Sequence, residues 1–495
     1  MSAVSPAYNR PMIGKLTTSE NQNTASGGSP LDAVAFDRLM MAFAPFETAP
    51  EILVGVSGGA DSMALVLLAH DWCQAQGGRV VAVTVDHGLR KAAADEARWV
   101  AAELARHNIE HITKHWQGEK PTGAVQEKAR QARYRIFDDL MRDTGIFHLL
   151  VAHHAGDQRE TIAMRRDRGT TPIGQAGMSA RRYLRHGRVL RPLLAVAKAD
   201  LVATLNARGQ AWIEDPSNID DKFERVRVRK AFAAGASRPP DITADASARR
   251  DLETGIGRLL AGAVTLHTNG VAILNPDVLL DPKTDRNAAI HALGQVVRTV
   301  GGAGYMPALD KLRGALDRLG ADKTACISLG GCVLHGRKGG ICVYREFGRM
   351  AQDPIALDAE SPTRSLVVRF DNRFEWQVDD VDLSGQIGRW IAPLGLCDVF
   401  HTKSFRAALG EIAPFIGNLP RAALASVPAL YDKEGLLSVG GLEVSELSDV
   451  LSAAGCGRPL GRGLIASGGS WQFAPQVPLW ESGFKSSAKP DNLLA

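Results

Sequence analysis

Glu51-Ile52-Leu53-Val54-Gly55-Val56-Ser57-Gly58-Gly59-Ala60-Asp61-Ser62-Met63-Ala64-Leu65-Val66 is the stretch on which the fold turns. An apolar, β-branched run over 52–56 stops at two glycines and gives way to an apolar run over 62–75 with helical character. Strand, tight turn and helix in that order aim the backbone N–H groups of the helix start at whatever sits beyond the strand's carboxyl end. A phosphate fits there: the glycines allow close approach, and the helix N-terminus adds roughly 0.3 to 1 kcal/mol, up to about 2 when partly buried. Ser57 and Ser62 supply hydroxyl donors, and Asp61 supplies oxygens suited to magnesium. Ser57, Gly58, Gly59, Ala60, Asp61 and Ser62 are therefore the expected nucleotide-phosphate site, with Asp61 as the metal-holding and catalytic residue. The tripeptide recurs at Ser26-Gly27-Gly28 and Ser467-Gly468-Gly469, but the first follows a polar tail and the second leads into no helix. The chain contains no G-x-x-x-x-G-K-[ST] run, which argues against γ-phosphate transfer of the kinase or motor kind.

Outward from this turn, 31 to about 230 alternates strand-like and helix-like runs: strands over 52–56, 80–85, 109–113 and 148–152, helices over 62–75, 92–107, 123–141 and 157–168. In the third helix Val125, Ala129, Ala132, Ile136 and Leu140 recur at helical spacing and predict the buried stripe. The expected class is α/β, a doubly wound parallel sheet followed by smaller mixed α/β domains. A Gly, Ser and Pro-Pro stretch over 233–245 breaks the periodicity and reads as a linker. The expected organisation is a disordered extension over 1–30, a catalytic domain over 31–232, a helical or mixed domain over 246–345 and a mixed domain over 362–485.

Composition narrows the class. With 45% hydrophobic and 23% charged residues, the chain has the make-up of a globular protein. Cys73, Cys326, Cys332, Cys342, Cys397 and Cys456 form no CxxC pair and no zinc-like spacing, which argues against a disulfide or iron–sulfur framework and for a reducing, cytoplasmic setting. The first thirty residues hold no apolar run of signal-peptide or membrane-span length. A net charge of +4 permits a polyanionic partner without requiring one. The basic residues gather between 159 and 191, where Arg165, Arg166, Arg168, Arg181, Arg182, Arg185 and Arg188 offer contacts for phosphates.

Two acids, Asp157 and Glu160, stand three apart at the start of a helix, and together suit a cationic small molecule or, more blandly, the ordinary acidity of a helix N-terminus. His153-His154 beside them does not make a zinc site, because adjacent histidines at a strand end splay apart and no third recurs at ligand spacing. Asp86-His87-Gly88 reads either as a capped turn or as a contact at the sheet edge, and Arg130 and Arg133 either as a solvated helix face or as a phosphate contact.

The glycine loop resembles that of the N-type ATP pyrophosphatases, which cradle departing pyrophosphate while an oxygen nucleophile takes AMP. Further motifs follow in order: Val85-Asp86-His87-Gly88-Leu89-Arg90, Ala129-Arg130-Gln131-Ala132-Arg133-Tyr134, Ala152-His153-His154-Ala155-Gly156-Asp157-Gln158-Arg159-Glu160-Thr161, Arg191-Pro192-Leu193-Leu194 and Trp212-Ile213-Glu214-Asp215-Pro216-Ser217-Asn218. Together they resemble the bacterial tRNA(Ile)-lysidine synthetases. The resemblance implies ATP with Mg2+, free L-lysine, and an isoleucine tRNA with a CAU anticodon as partners, with no membrane role and an oligomeric state left open. It also implies Asp86 and His87 at the nucleotide, Arg133 and Arg225 as catalytic charge stabilisers, and Asp157 and Glu160 as the lysine-binding acids. Arg165, Arg166, Arg168, Arg181 and Arg182 would meet the tRNA. The chain departs from the family pattern at Gly156, where a second Asp is usual, and over 165–172, where a Leu-x-Arg-Gly-Ser-Gly-like run is usual. Rival readings are a thiolating tRNA enzyme, which would need cysteines near the motifs, an amidotransferase, and a binding module that consumes no ATP.

Overall fold

The computed structural model describes residues 15–17, 27–86, 88, 93–116, 125–167, 177–214, 224–235, 239–240, 242–357, 365–379, 388–433, 435–442, 444–454, 470–475 and 478–479. Its contacts divide the chain into two compact units, Met1–Arg250 and Asp251–Ala495.

The first unit is an α/β domain. Its described elements run β1 (Lys15–Thr17), α1 (Ala33–Met41), β2 (Glu51–Gly55), α2 (Ala60–Gln74), β3 (Arg79–Asp86), α3 (Ala93–Arg106) and β4 (Glu110–His115). They continue with α4 (Val125–Thr144), β5 (His148–Leu150), α5 (Ala155–Asp167), β6 (Arg181–Tyr183), β7 (Arg188–Leu190), a helix Lys198–Ala207, β8 (Trp212–Glu214) and a helix Glu224–Ala233. The six-stranded sheet has the order β4-β3-β2-β5-β7-β6, parallel throughout except for the antiparallel edge strand β6. Strand side chains alternate between faces, so Ile52 and Val54 join a core with α1, α2, α3 and the helix Lys198–Ala207, while Leu53 joins α4 on the other face. The sheet is thus doubly wound. α2 lies deep in this packing: from Met63 to Ala69 it is apolar and buried all round, and Trp72 and Cys73 continue the buried face while Asp71 and Gln74 reach solvent. In α4 the expected stripe is corrected: Ala129, Ala132 and Leu140 are buried, but Phe137 and Met141 take the place assigned to Ile136, because the longer Phe137 ring and Met141 side chain join the core with Leu53, Val81 and Val83.

Two boundary expectations also change. Lys15–Thr17, within the extension expected to be disordered, pairs antiparallel with β8, and the N–H groups of Ser29 and Leu31 donate to Asp200 Oδ1 and Thr204 Oγ1. The expected linker ends early, since a helix already begins at Thr243 and runs to Ala263.

β5 is anchored by a buried histidine. Arg188 Nε donates to His148 Nδ1 at 2.9 Å, which leaves Nε2 to donate to Glu47 Oε2 at 2.9 Å. Burial and the Arg188 charge push the His148 imidazole down to about 4. The unfolded chain therefore takes up a proton near pH 6.5 that the folded one refuses, so stability is complete above that pH and falls as pH drops toward the folded value. Acidification from about pH 6.5 to 4 should cost the first unit on the order of 3 kcal/mol at this site. His148→Gln should flatten that slope in urea titrations across the range, and an unchanged slope would refute the assignment.

The second unit carries three antiparallel sheets. The five-stranded one, β11-β12-β13-β10-β9, is built from β9 (Val264–Leu266), β10 (Ala272–Leu274), β11 (Cys326–Leu329), β12 (Cys332–Arg337) and β13 (Gly340–Arg345). One face packs on the helices Arg286–Val300 and Leu309–Ala321, while Val271, Cys342 and Tyr344 join the core formed with Phe400, Phe405 and Leu447. The four-stranded sheet joins β14 (Ile355–Ala356), β17 (Trp390–Pro393), β18 (Pro428–Asp432) and β19 (Gly435–Val439); the three-stranded one joins β15 (Ser365–Phe370), β16 (Phe374–Asp379) and β20 (Ser470–Phe473). Residues on both sides of the expected break between 345 and 362 thus share one core.

Candidate active site

β2 has β3 on one side and β5 on the other, so the chain winds away in two directions from this point. The loop after β2 and the segment after β5 open at the same carboxyl rim, the crevice in which such sheets bind ligands.

The loop is held by its own hydroxyls. Ser57 N–H donates to Ser62 Oγ at 3.1 Å, and Ser62 Oγ–H donates to the Gly59 carbonyl at 2.9 Å. Gly59 is the N-cap of α2 without a side-chain bond, which leaves the first amides of the helix to a ligand. Gly58 has φ +84°, and its carbonyl accepts from Ile213 N–H at 2.9 Å, so β8 clamps the turn from outside. A Cβ on Gly58 would stand 2.9 Å from Ile213 Cδ1 and 3.0 Å from Val100 Cγ2. Gly58→Ala should therefore combine left-handed backbone strain of about 1 to 2 kcal/mol with a displaced loop. The check is nucleotide affinity measured beside the melting temperature; wild-type values for both would refute this account of the turn.

Asp61, on the first turn of α2, has Oδ2 3.7 Å from His154 Nε2 and 3.7 Å from Lys198 Nζ. Its Oδ1 is buried and has no hydrogen-bond partner among the described residues. One carboxylate oxygen left open beside a phosphate cradle is the donor set magnesium takes when substrate phosphates and water supply the rest. Among the described residues no group of three His, Cys, Asp or Glu side chains is placed to hold a metal by itself.

The segment after β5 delivers the second acid. Asp157 Oδ2 accepts from His154 N–H at 3.0 Å and lies 3.6 Å from His154 Nε2, while its Oδ1 is 3.9 Å from Arg225 Nη1. Burial by itself would raise the Asp157 pKa, but the Nε2–H edge of the His154 ring, the hydrogen bond from His154 N–H and the Arg225 charge outweigh it and hold the carboxyl below its usual range. Glu160 is only 2% exposed; its Oε1 accepts from Arg229 Nε at 2.8 Å, and its Oε2 has no partner among the described residues. Asp157 and Glu160 thus face Arg225 and Arg229, four apart on the helix Glu224–Ala233, as a two-rung ladder rather than an open acidic patch. His153 is kept neutral by burial and by the Arg191 charge, and its Nδ1 has no partner among the described residues.

The arginine-rich stretch is not one surface. Arg188 is buried under Phe46, and Arg181 lies over Phe43 with its guanidinium on the Ala42 carbonyl. Arg182 stacks 4.3 Å over Tyr134, and buried Arg191 donates to the Tyr134 hydroxyl at 3.1 Å and to the Ser179 carbonyl at 2.8 Å. Arg165 donates to the Gly177 carbonyl, and Arg166 is exposed near the end of α5. Arg133 is exposed on α4. Asp86 caps its own turn, its Oδ1 accepting from Gly88 N–H at 2.8 Å, with Oδ2 3.3 Å from His115 Nδ1. His87 and Arg168 lie outside the described residues.

Reading residues alone missed His154 as an organiser, Lys198, Arg229 and the clamp from Ile213. The four-residue spacing of Arg225 and Arg229, which complements the acids, is a signal that could have found Arg229. Lys198 and Ile213 are brought in by folding, and nothing local marks them.

Loop, rim and acids define an ATP-binding domain of the PP-loop class, and a family model described as "PP-loop domain" matches residues 32–234. A tRNA(Ile)-lysidine synthase of Mesorhizobium japonicum is 33% identical over 395 residues, spanning 76% of this chain and 81% of the relative. One from a Bradyrhizobium species is 36% identical over 310 residues, 59% of this chain and 80% of the relative, and one from Rhodopseudomonas palustris is 44% identical over 206 residues, 41% and 59%. The chain belongs to the tRNA(Ile)-lysidine synthase family. Among its described residues, no helix is long and apolar enough to cross a membrane.

Proposed function

We propose that the protein is a ligase that joins free lysine to C2 of the wobble cytidine of a CAU-anticodon isoleucine tRNA, with ATP converted to AMP and pyrophosphate. The observation that carries this reading is the approach of Asp61, on the nucleotide loop, and Asp157, on α5, to one imidazole nitrogen at 3.7 and 3.6 Å, which joins a phosphate cradle and an amine-binding acid in one site. The relatives' names support the tRNA and the product.

In the first step the cytidine O2 attacks the α-phosphorus and the bond to pyrophosphate breaks; the amides after Gly59, with the Ser57 hydroxyl, hold the departing group, while Ser62, whose hydroxyl donates to the Gly59 carbonyl, braces the turn. Asp61 would hold magnesium, which when bound offsets phosphate charge. In the second step the neutral ε-amine of lysine adds at C2, the C–O bond to AMP breaks and the nitrogen loses a proton. Asp157 and the open Oε2 of Glu160 orient the lysine, while Arg133 and Arg225 position and stabilise the phosphate. Arg165, Arg166, Arg168, Arg181 and Arg182 contribute to gripping the tRNA, and the second unit reads its body. An anticodon-loop base is already largely unstacked, which lowers the cost of presenting it.

Against a sulfur-transferring reading, the described cysteine of the first unit, Cys73, is buried in α2, and burial pushes it up to about 12. The test is to incubate the protein with ATP, labelled lysine and the CAU tRNA, then analyse the nucleosides by mass spectrometry. Label in a lysine-substituted cytidine is expected; sulfur incorporation, or AMP formation that needs no tRNA, would overturn the reading.

A further inference from the structure

Asp61 and Asp157 come from different crossovers of the sheet, and the atom between them is His154 Nε2, 3.7 Å from one carboxylate and 3.6 Å from the other. The ring is held from behind, because Gly156 N–H donates to His154 Nδ1 at 2.9 Å. An imidazole that accepts at Nδ1 is neutral and carries its one proton on Nε2. The atom facing the two acids is therefore a donor and not a metal ligand. Both separations exceed a full hydrogen bond, so the N–H is committed to neither carboxylate.

The seat for this ring is residue 156. A Cβ there would stand 2.6 Å from His154 Cε1 and 3.0 Å from Nδ1, so a side chain at 156 would drive the imidazole out of its place. The glycine that departs from the family pattern is what allows the arrangement.

We propose that His154 is a positioning residue through which the nucleotide loop and the amine-binding acid sense each other. A ligand that engages Asp61 releases the Nε2–H to Asp157, and a ligand that engages Asp157 releases it to Asp61. The identity of the two ligands rests on the function proposed above, whereas the coupling is a property of three side chains. It is reciprocal by linkage.

The test is a binding cycle with Mg-ATP alone, read by calorimetry on the full-length protein, its Asp157→Asn and His154→Asn variants and the double variant. In the presence of His154, Asp157→Asn should weaken Mg-ATP binding about fivefold, because the freed N–H then competes with the nucleotide for Asp61. In the His154→Asn background, whose amide oxygen can still accept from Gly156, the same change should leave affinity unaltered. His154→Gln, which returns an amide N–H near the place of Nε2, should restore the dependence, and Gly156→Ala should abolish it as His154→Asn does. Melting temperatures of each variant separate these effects from misfolding. Additive effects of the two substitutions, or a glutamine variant that behaves like the asparagine one, would overturn the proposal. Failure of lysine transfer by the wild-type protein would instead remove the lysine assignment, leaving the ATP cycle to be read by itself.

Discussion

Replacing Asp61 with asparagine is expected to slow pyrophosphate release from ATP by about 10²- to 10³-fold while leaving the protein folded. The size follows from the position of the carboxylate, one turn from the amides proposed to receive the leaving group, with Oδ1 unengaged by any described residue. The fold should survive because the ion pairs of Asp61 are 3.7 Å long, and Lys198 is half in solvent, so the pairs contribute at most about 1 kcal/mol. A coupled pyrophosphate assay and a melting curve read the two quantities separately. Undiminished release would remove Asp61 from the reaction and with it the assignment of the loop.

The largest effect on stability is expected in the second unit, at the hairpin between β15 and β16. Asp371 and Asn372 both take positive φ, 49° and 54°, and the turn delivers Asp371 to two arginines. Arg345 reaches it through Nε at 2.9 Å and Nη2 at 3.2 Å, and Arg373 through Nε at 2.8 Å. Arg373 is 1% exposed and also donates to the Ser426 carbonyl at 2.8 Å, so this carboxylate neutralises a guanidinium that water cannot reach. Asp371→Ala leaves that charge buried without its acid, which should cost about 3 to 5 kcal/mol. For a unit of this size the melting temperature should fall by about 10 °C. Calorimetry checks this, and a variant that melts with the wild type would show that Arg373 finds compensation elsewhere.

The two halves of the chain were legible to different degrees. The glycine turn was legible, apart from the Ile213 clamp, because its other requirements are local: an apolar strand, glycines where φ is positive or the backbone must lie open, hydroxyls that return to their own turn, and a helix. The order of the crossovers was legible for the same reason, since period and punctuation are properties of short segments. The acids at 157 and 160 were legible as a pair but not as a ladder, because the arginines that face them arrive from a helix more than sixty residues later. The basic stretch misled: arginine counts as a surface charge in sequence, yet Arg188 and Arg191 are buried by rings, carbonyls and a histidine from other strands. In the second unit short strands such as β9, β10 and β17 hold no period that marks them, and they are strands because neighbours complete their ladders.

Sequence alone determined the strand, glycine turn and helix start at which the phosphate is proposed to bind, since backbone geometry over a dozen consecutive residues is local. Only the tertiary structure decided what stands opposite that turn. The parallel sheet sets β5 beside β2, and that adjacency, which no local pattern encodes, brings His154 and Asp157 to Asp61 and lets Gly156 seat the ring between them.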